Sequence, residues 1–175
     1  QLTGTLLPPL VRFGMSAPSN LTIYRSGAFG DDYLGNVFIS HFNTRSVTRS
    51  RLNRLGATYS ADSESFLVST NPDFHPCDVI EDADGSLLVI DTGGWFAGRG
   101  CPTSKISRPQ LHGAIYRIRR SGGPVVQDPR GLKINWKDAS IELLASLIND
   151  DRPTVRDRAV EQLAAQGEKA VDALA

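Results

Sequence analysis

Asp91 ends the apolar run Leu87-Leu88-Val89-Ile90 and stands just ahead of Thr92-Gly93-Gly94-Trp95. A carboxylate at the end of a strand can bind a cation, receive a substrate hydroxyl, or tie a neighbouring element by hydrogen bonds. The structural use is the first expectation, and Asp91 is also the one weak candidate for metal binding. His41 ends a similar run, Val37-Phe38-Ile39-Ser40, fifty residues earlier. An imidazole there can act as a general base near neutral pH, which makes His41 the one weak catalytic candidate; a hydrogen-bonded structural histidine is the plainer expectation. Beyond Asp91, Trp95 and Phe96 with Arg99 offer flat apolar faces and a cation, which suit a carbohydrate or a quinone. They suit packing of the loop onto its own sheet equally well. Cys77 and Cys101 permit one disulfide or none, and two buried thiols are the alternative. Two thiols with no His pair at ligand spacing cannot close a structural zinc site.

The remaining polar groups point to structure. Glu81-Asp82-Ala83-Asp84-Gly85 has the flavour of a calcium loop but lacks its twelve-residue ligand series, so a hairpin turn is expected. His75 and Asp78 flank Pro76-Cys77, with Asp78 expected to cap backbone amides at an entry turn. Arg117, Arg119 and Arg120, and likewise Arg45, Arg49, Arg51 and Arg54, read as solvated strand faces. A formal net charge of +0 argues against duplex nucleic acid as a partner. No phosphate loop, dinucleotide fingerprint or Ser-His-Asp spacing is present, and no apolar run reaches the length of a membrane span.

The elements that position these residues follow from periodicity and breakers. Strands are expected at Thr22-Ile23-Tyr24, Val37-Phe38-Ile39, 46–52, Ser65-Phe66-Leu67-Val68, Cys77-Asp78-Val79-Ile80, Leu87-Leu88-Val89-Ile90 and 114–119. Gly35-Asn36-Val37-Phe38-Ile39 overlays Gly85-Ser86-Leu87-Leu88-Val89 at a shift of 50, which sets His41 against Asp91. Ser46-Val47-Thr48-Arg49 then matches Gly113-Ala114-Ile115-Tyr116 once about 18 further residues are allowed in the second copy, between Trp95 and His112. Short strands repeating every 40–50 residues predict blades of a β-propeller, because a lone blade cannot bury both faces of its sheet. A β-sandwich is the competing architecture. The insert from 95 to 112 is the expected functional surface.

After Arg120 the pattern changes. Ser121-Gly122-Gly123-Pro124 and Asp128-Pro129-Arg130-Gly131 read as a linker. From Ser140, a plausible N-cap, the residues Ile141, Leu143, Leu144, Leu147 and Ile148 fall at helical spacing. Pro153 opens a second helix with Val155, Ala159, Val160 and Leu163 inward, Gly167 closes it, and 168–175 opens a third. The Asp-Arg-Pro-x-Val-Arg-x-x-Ala turn predicts HEAT-like repeats; a plain helical hairpin is the alternative. The expected class is mainly β plus α, with the C-terminal part of a propeller over 1–122, a linker over 123–137 and the start of a HEAT-like domain over 138–175. Neither end carries a start or stop signal, so both read as cut from a longer chain.

The segment from His75-Pro76-Cys77-Asp78 through Asp91-Thr92-Gly93-Gly94-Trp95, with Cys101-Pro102-Thr103-Ser104 and Gly113-Ala114-Ile115-Tyr116-Arg117, resembles the large membrane-bound dehydrogenase-like proteins of planctomycetes. Their propeller is similar to that of sorbosone and soluble glucose dehydrogenases, and HEAT repeats and often a cytochrome c-type haem domain follow it. The resemblance implies a periplasmic or secreted oxidoreductase of a sugar or related alcohol or aldehyde. It implies pyrroloquinoline quinone (PQQ) and calcium as cofactors, and a downstream haem as electron acceptor. The partners implied are the remaining blades and the downstream HEAT and haem domains. The chain departs from this pattern in having no Cys-x-x-Cys-His haem site, and the catalytic base is expected in earlier blades. A non-catalytic scaffold that binds a polysaccharide or a protein is the alternative.

Overall fold

The apolar runs marked off by turn residues become strands. A computed structural model describes Gly4, residues 8–94, Arg108 and residues 110–171. Within them lie β1 (Pro18–Ile23), β2 (Val37–His41), β3 (Ser46–Leu55), β4 (Thr58–Val68), β5 (Pro76–Glu81), β6 (Leu87–Asp91) and β7 (Ala114–Ile118). They form two antiparallel sheets, ordered β1-β2-β3-β4 and β5-β6-β7. Two helices follow, α1 (Ile141–Leu147) and α2 (Pro153–Gln166). The chain is mainly β plus α, as its sequence pattern implies. Among the described residues neither sheet closes into a barrel.

One strand is longer than its sequence suggests. No strand is expected between 52 and 65, yet residues 58–64 pair with β3 from Leu55↔Thr58 onward. The turn between is only Gly56-Ala57, with Gly56 at φ 60, a conformation glycine adopts without steric cost. The end of this hairpin nearest the turn is exposed on both faces, so it carries no hydrophobic alternation to read. Polar pairs take its place: Ser50 and Ser63 share a hydroxyl hydrogen bond of 2.7 Å, and the Asn53 amide donates to Asp62 at 2.7 Å.

The chain divides into two compact units. The first, Gln1–Tyr24, Gly35–Ile80 and Leu88–Arg117, holds most of both sheets. Tyr24, Phe38, Val47, Val79 and Val89 are each fully buried in it. Phe38 meets Phe66 edge-on at 4.8 Å and Tyr24 at 6.0 Å. Each such side chain contributes about 1.5–3 kcal/mol of burial.

The second unit, Arg25–Leu34, Glu81–Leu87 and Ile118–Ala175, contains both helices. Its core is Trp136, Leu144, Val155, Ala159, Leu163 and Ala170. Ser140 caps α1 by accepting the Leu143 N–H at 3.2 Å, Pro153 opens α2, and Gly167 ends it at φ 59. Two expected inner residues turn outward: Leu143 is 43 % and Val160 54 % exposed. Each follows or precedes a truly inward neighbour by one residue, a rotation of about 100° on a helix. The inward stripe of α2 is Val155, Ala159 and Leu163 at strict four-residue steps. The Trp136 indole donates to the Gly131 carbonyl at 2.6 Å, and the Arg158 guanidinium stands 4.5 Å from its ring. Arg25 forks onto Asp157 at 2.9 and 2.7 Å, and Arg152 onto Asp150 at 2.8 and 2.7 Å.

Candidate functional site

The fifty-residue shift is a structural equivalence. Gly35 and Gly85 both precede an inner strand and both adopt the left-handed conformation, at φ 72 and 76. Next come two buried polar residues, Asn36 and Ser86. The inner strands β2 and β6 follow and end in His41 and Asp91, 1 % and 8 % exposed. The outer strands obey a second shift, since Pro18 opens β1 and Pro76 opens β5. The two shifts differ because the first hairpin carries Arg25–Leu34 where the second has only Ala83-Asp84.

This frame explains why His41 and Asp91 share a position. The Phe42 N–H donates to the Ala17 carbonyl at 3.0 Å, and the equivalent Thr92 N–H donates to the His75 carbonyl at 3.1 Å. In both sheets the chain entering the outer strand is bonded to the chain leaving the inner one. The side chain at the end of the inner strand completes that clamp. Asp91 Oδ1 accepts the His75 N–H at 2.7 Å and the Gly93 N–H at 2.8 Å. The His75 Nδ1–H in turn donates to the Gly93 carbonyl at 2.8 Å, and its ring lies 4.8 Å from Phe42. His41 reaches the same end by other chemistry. Its Nδ1 lies 2.6 Å from the Ser16 hydroxyl and its Nε2 2.9 Å from the Thr48 hydroxyl, with Phe13 edge-on at 4.6 Å. Burial holds His41 below the ordinary imidazole range, so it is neutral at physiological pH. With both ring nitrogens bonded and the side chain buried, it has no free lone pair for a substrate proton.

Gly113 lies hard against the Asp91 carbonyl, the place that Ser46 takes opposite His41 in the first sheet. A Cβ at Gly113 would clash with that oxygen, so only glycine lets β7 approach here. The connection between inner and third strand is therefore 42–45 in one sheet and 92–112 in the other. Trp95, Phe96 and Arg99, the expected binding residues of this insert, and Cys101, the possible disulfide partner of Cys77, lie outside the described residues. Cys77 donates its thiol to the Ile90 carbonyl at 3.4 Å, and burial raises its pKa above the usual thiol value. Pairing with Cys101 stays a proposal.

The other candidates are held by neighbours. Asp78 accepts the Asn20 side-chain amide at 2.7 Å, where a backbone cap was expected. Asp82 to Gly85 form the expected hairpin turn, closed by the Gly85 N–H on the Asp82 carbonyl at 2.9 Å. Asp82 pairs with Arg130 at 2.7 Å and Asp84 with Arg119 at 2.8 Å. Arg120 donates to the Phe29 carbonyl at 2.6 Å. Arg49 departs most from expectation: it is 5 % exposed, with its Nε on Asn36 and its Nη1 on Glu64, both at 3.0 Å. Alternation alone hid this, because Arg49 sits on a strand whose neighbours read as polar. His75 as a partner of Asp91 was equally hidden, being sixteen residues away in sequence.

Among the described residues no three His, Cys, Asp or Glu side chains gather as a cation cage, and no helix is long and apolar enough to cross a membrane. No curated protein and no solved structure matches the chain. A family model matches residues 12–121, more than half of the chain and most of both sheets. The chain belongs to the family described as "Domain of unknown function (DUF7133)".

Proposed function

We propose that the chain supplies two consecutive propeller blades and the first HEAT-like repeat of an oxidoreductase outside the cytoplasm, one that oxidises sugars or related alcohols or aldehydes. The observation that carries the architecture is the repeated frame: Gly35 and Gly85 in the same left-handed turn, buried Asn36 and Ser86, and a clamp at His41 and Asp91. One meander of this kind leaves its faces uncovered, so the frame has a use only in a stacked array. The division into blades over 1–122, a linker over 123–137 and HEAT-like helices over 138–175 belongs to the same proposal. The redox activity rests on the resemblance of the segment from His75 to Trp95. The described residues do not fit a calcium or quinone cage: Asp91 Oδ1 is taken by two backbone N–H groups, and no three His, Cys, Asp or Glu side chains gather among those residues. PQQ, calcium and any haem are therefore assigned to residues outside those described. In this reading the chain's own part is scaffold and rim, not proton transfer.

The protein containing this chain is expected to reduce an artificial electron acceptor when given PQQ, calcium and an aldose or aldehyde. No turnover across a broad panel of sugars, alcohols and aldehydes overturns the oxidoreductase reading. One observation favours a second reading, a non-catalytic scaffold for a polysaccharide or a protein. Both polar residues that the repeat places in register are spent on holding backbone and hydroxyls. Saturable binding on a glycan array without redox activity decides for that reading.

A further inference from the structure

The first hairpin carries the insert Arg25–Leu34 where the second has only Ala83-Asp84, and both tips belong to the unit that holds the helices. A loop elaborated only on the surface has no need to bury its side chains, yet Phe29 is 5 % and Ser26 3 % exposed. The two tips are tied first to each other. The Arg25 N–H donates to the Glu81 carboxylate at 2.8 Å, and a Cβ on Gly85 would run into Ser26 and Ala28. They are tied next to the chain that follows β7. Arg119 and Arg130 pair with Asp84 and Asp82 of the second tip, while Arg120 donates to the Phe29 carbonyl of the first and lies against Gly30. Gly123 is so close to the Ala28 carbonyl that a Cβ there would stand 2.8 Å from it. Arg25 completes the set with its fork onto Asp157 of α2. The segment from 119 to 130 is thus a strap across both tips.

We infer that the two tips and the helical segment open and close as one cooperative unit, separately from the sheets, with the insert Arg25–Leu34 as the seat of the helices. Cooperative units follow shared cores and shared bonds, not chain order. The helical core of Trp136, Leu144, Val155, Ala159, Leu163 and Ala170 shares no residue with the sheet core around Phe38, Val47 and Val89. The boundary therefore runs through both hairpins, between Tyr24 and Arg25 and between Ile80 and Glu81. Arg25, Arg119 and Arg130 are each about half exposed or more, so no single pair holds the seat alone. Because every pair spans the same opening, removing one lowers the opening free energy of the whole unit. An insert that one hairpin has and its equivalent lacks decides which of the two carries the helices. The inference rests on contacts inside this unit and not on the oxidoreductase reading, so the two can fail separately.

The test is amide hydrogen exchange of the full chain, read residue by residue by NMR at rising but sub-denaturing concentrations of denaturant. The N–H groups of Gly30, Tyr33 and Gly85, each bonded within its own tip, report on the tips, and those of α2 report on the helices. Their opening free energies are expected to converge on one value, below that of β2 and β3. Asp157→Ala on α2 should speed exchange at Gly30, Tyr33 and Gly85 about threefold while β2 and β3 stay unchanged. Arg130→Ala, on the strap, should do the same to α2 and to the tips. Both side chains are about half exposed, so neither variant threatens the fold. A merely local ion pair would change exchange only beside the substitution, and that outcome overturns the inference. Convergence of the tips with β2 and β3, or a chain whose amides all open together, overturns it as well.

Discussion

Set side by side, the two sheets keep their first two strands and the bonds that join them, and vary almost everything attached. Gly35 and Gly85 turn the same way, and Ala17 and His75 accept the same N–H bond from Phe42 and Thr92. The clamp residue is polar and buried in both, but it is an imidazole between two hydroxyls in one and a carboxylate on two backbone amides in the other. The inserts fall in different places: Arg25–Leu34 in the first hairpin of one copy, and 92–112 after the inner strand of the other. What is preserved is the demand that the incoming strand be tied to the outgoing one, whatever side chain meets it. A shared position in a repeat therefore signals a shared mechanical task first, and shared chemistry only if the partners also match. Here they do not.

The comparison breaks most visibly at Asp91. Asp91→Ala leaves the buried Gly93 N–H and the part-buried His75 N–H without their acceptor, and each such orphan costs about 1–3 kcal/mol. A loss of roughly 3 kcal/mol in denaturant unfolding is expected, against about 1 kcal/mol for Asp91→Asn, which keeps an oxygen for both donors. Equal losses for the two variants would show that the carboxylate's charge, and not its acceptor geometry, holds the clamp.

Gly35 and Gly85 test whether equivalent turns are equally tight. A Cβ on Gly35 meets nothing within 4 Å, so Gly35→Ala carries only the strain of a positive φ, about 1 kcal/mol. A Cβ on Gly85 runs into the Ser26 hydroxyl and lies 2.5 Å from the Ala28 Cβ, and an overpacked site adds about 1–3 kcal/mol. Gly85→Ala is therefore expected to lower the melting temperature more than Gly35→Ala. The reverse order would mean that the Ser26 side yields freely.

Much of this frame was legible in the sequence because it is written in backbone requirements. Glycine at the turn, an apolar strand behind it and proline at the strand entrance each leave a mark that survives without a structure. The overlay at a shift of 50 places His41 against Asp91 from the glycine and the apolar strand behind it alone. Their partners left none. Ser16, Thr48 and the backbone N–H of His75 are ordinary polar groups until the chain folds, so a general base and a structural histidine look alike at the level of sequence. Leu143 and Val160 failed for a different reason: apolar residues next to the inward stripe are indistinguishable from it when only their type is read. The exposed stretch of β4 carries no hydrophobic alternation, and a polar hairpin held by side-chain pairs reads as a loop.

The two clamps should also part company in acid. Burial lowers the His41 pKa, so the folded chain binds fewer protons at this site than the unfolded chain does. The stability from neutral His41 is fully present above the unfolded imidazole value of about 6.5, and is lost as the pH falls from there through the lowered folded value. Thermal melts from pH 7.5 downward should show this slope in the native chain and lose it in His41→Gln. Glu81 acts with the opposite sign. Burial raises its pKa, so its contribution is present below the ordinary carboxylate range and fades as the pH rises through the raised value. The difference between the native and His41→Gln curves, not the native curve alone, isolates the histidine. An unchanged slope in the variant would remove His41 from the account of the clamp.

The smallest expected effect concerns the strand that, among the described residues, only the first sheet possesses. Arg49 is buried on β3 and bonds Asn36, the residue equivalent to Ser86, through Nε, while Nη1 reaches Glu64 on β4 at 3.0 Å. Glu64 is 61 % exposed, so water screens its side of the pair. Glu64→Gln keeps an oxygen acceptor for Nη1 and should cost no more than about 0.5 kcal/mol. Arg49→Ala removes the guanidinium from the buried Asn36 amide as well, and should cost about 2 kcal/mol through lost packing and an orphaned acceptor. If the ratio holds, β4 stabilises the first sheet mainly by covering β3 and only weakly by charge. If Glu64→Gln costs as much as Arg49→Ala, the ion pair carries the β3–β4 contact.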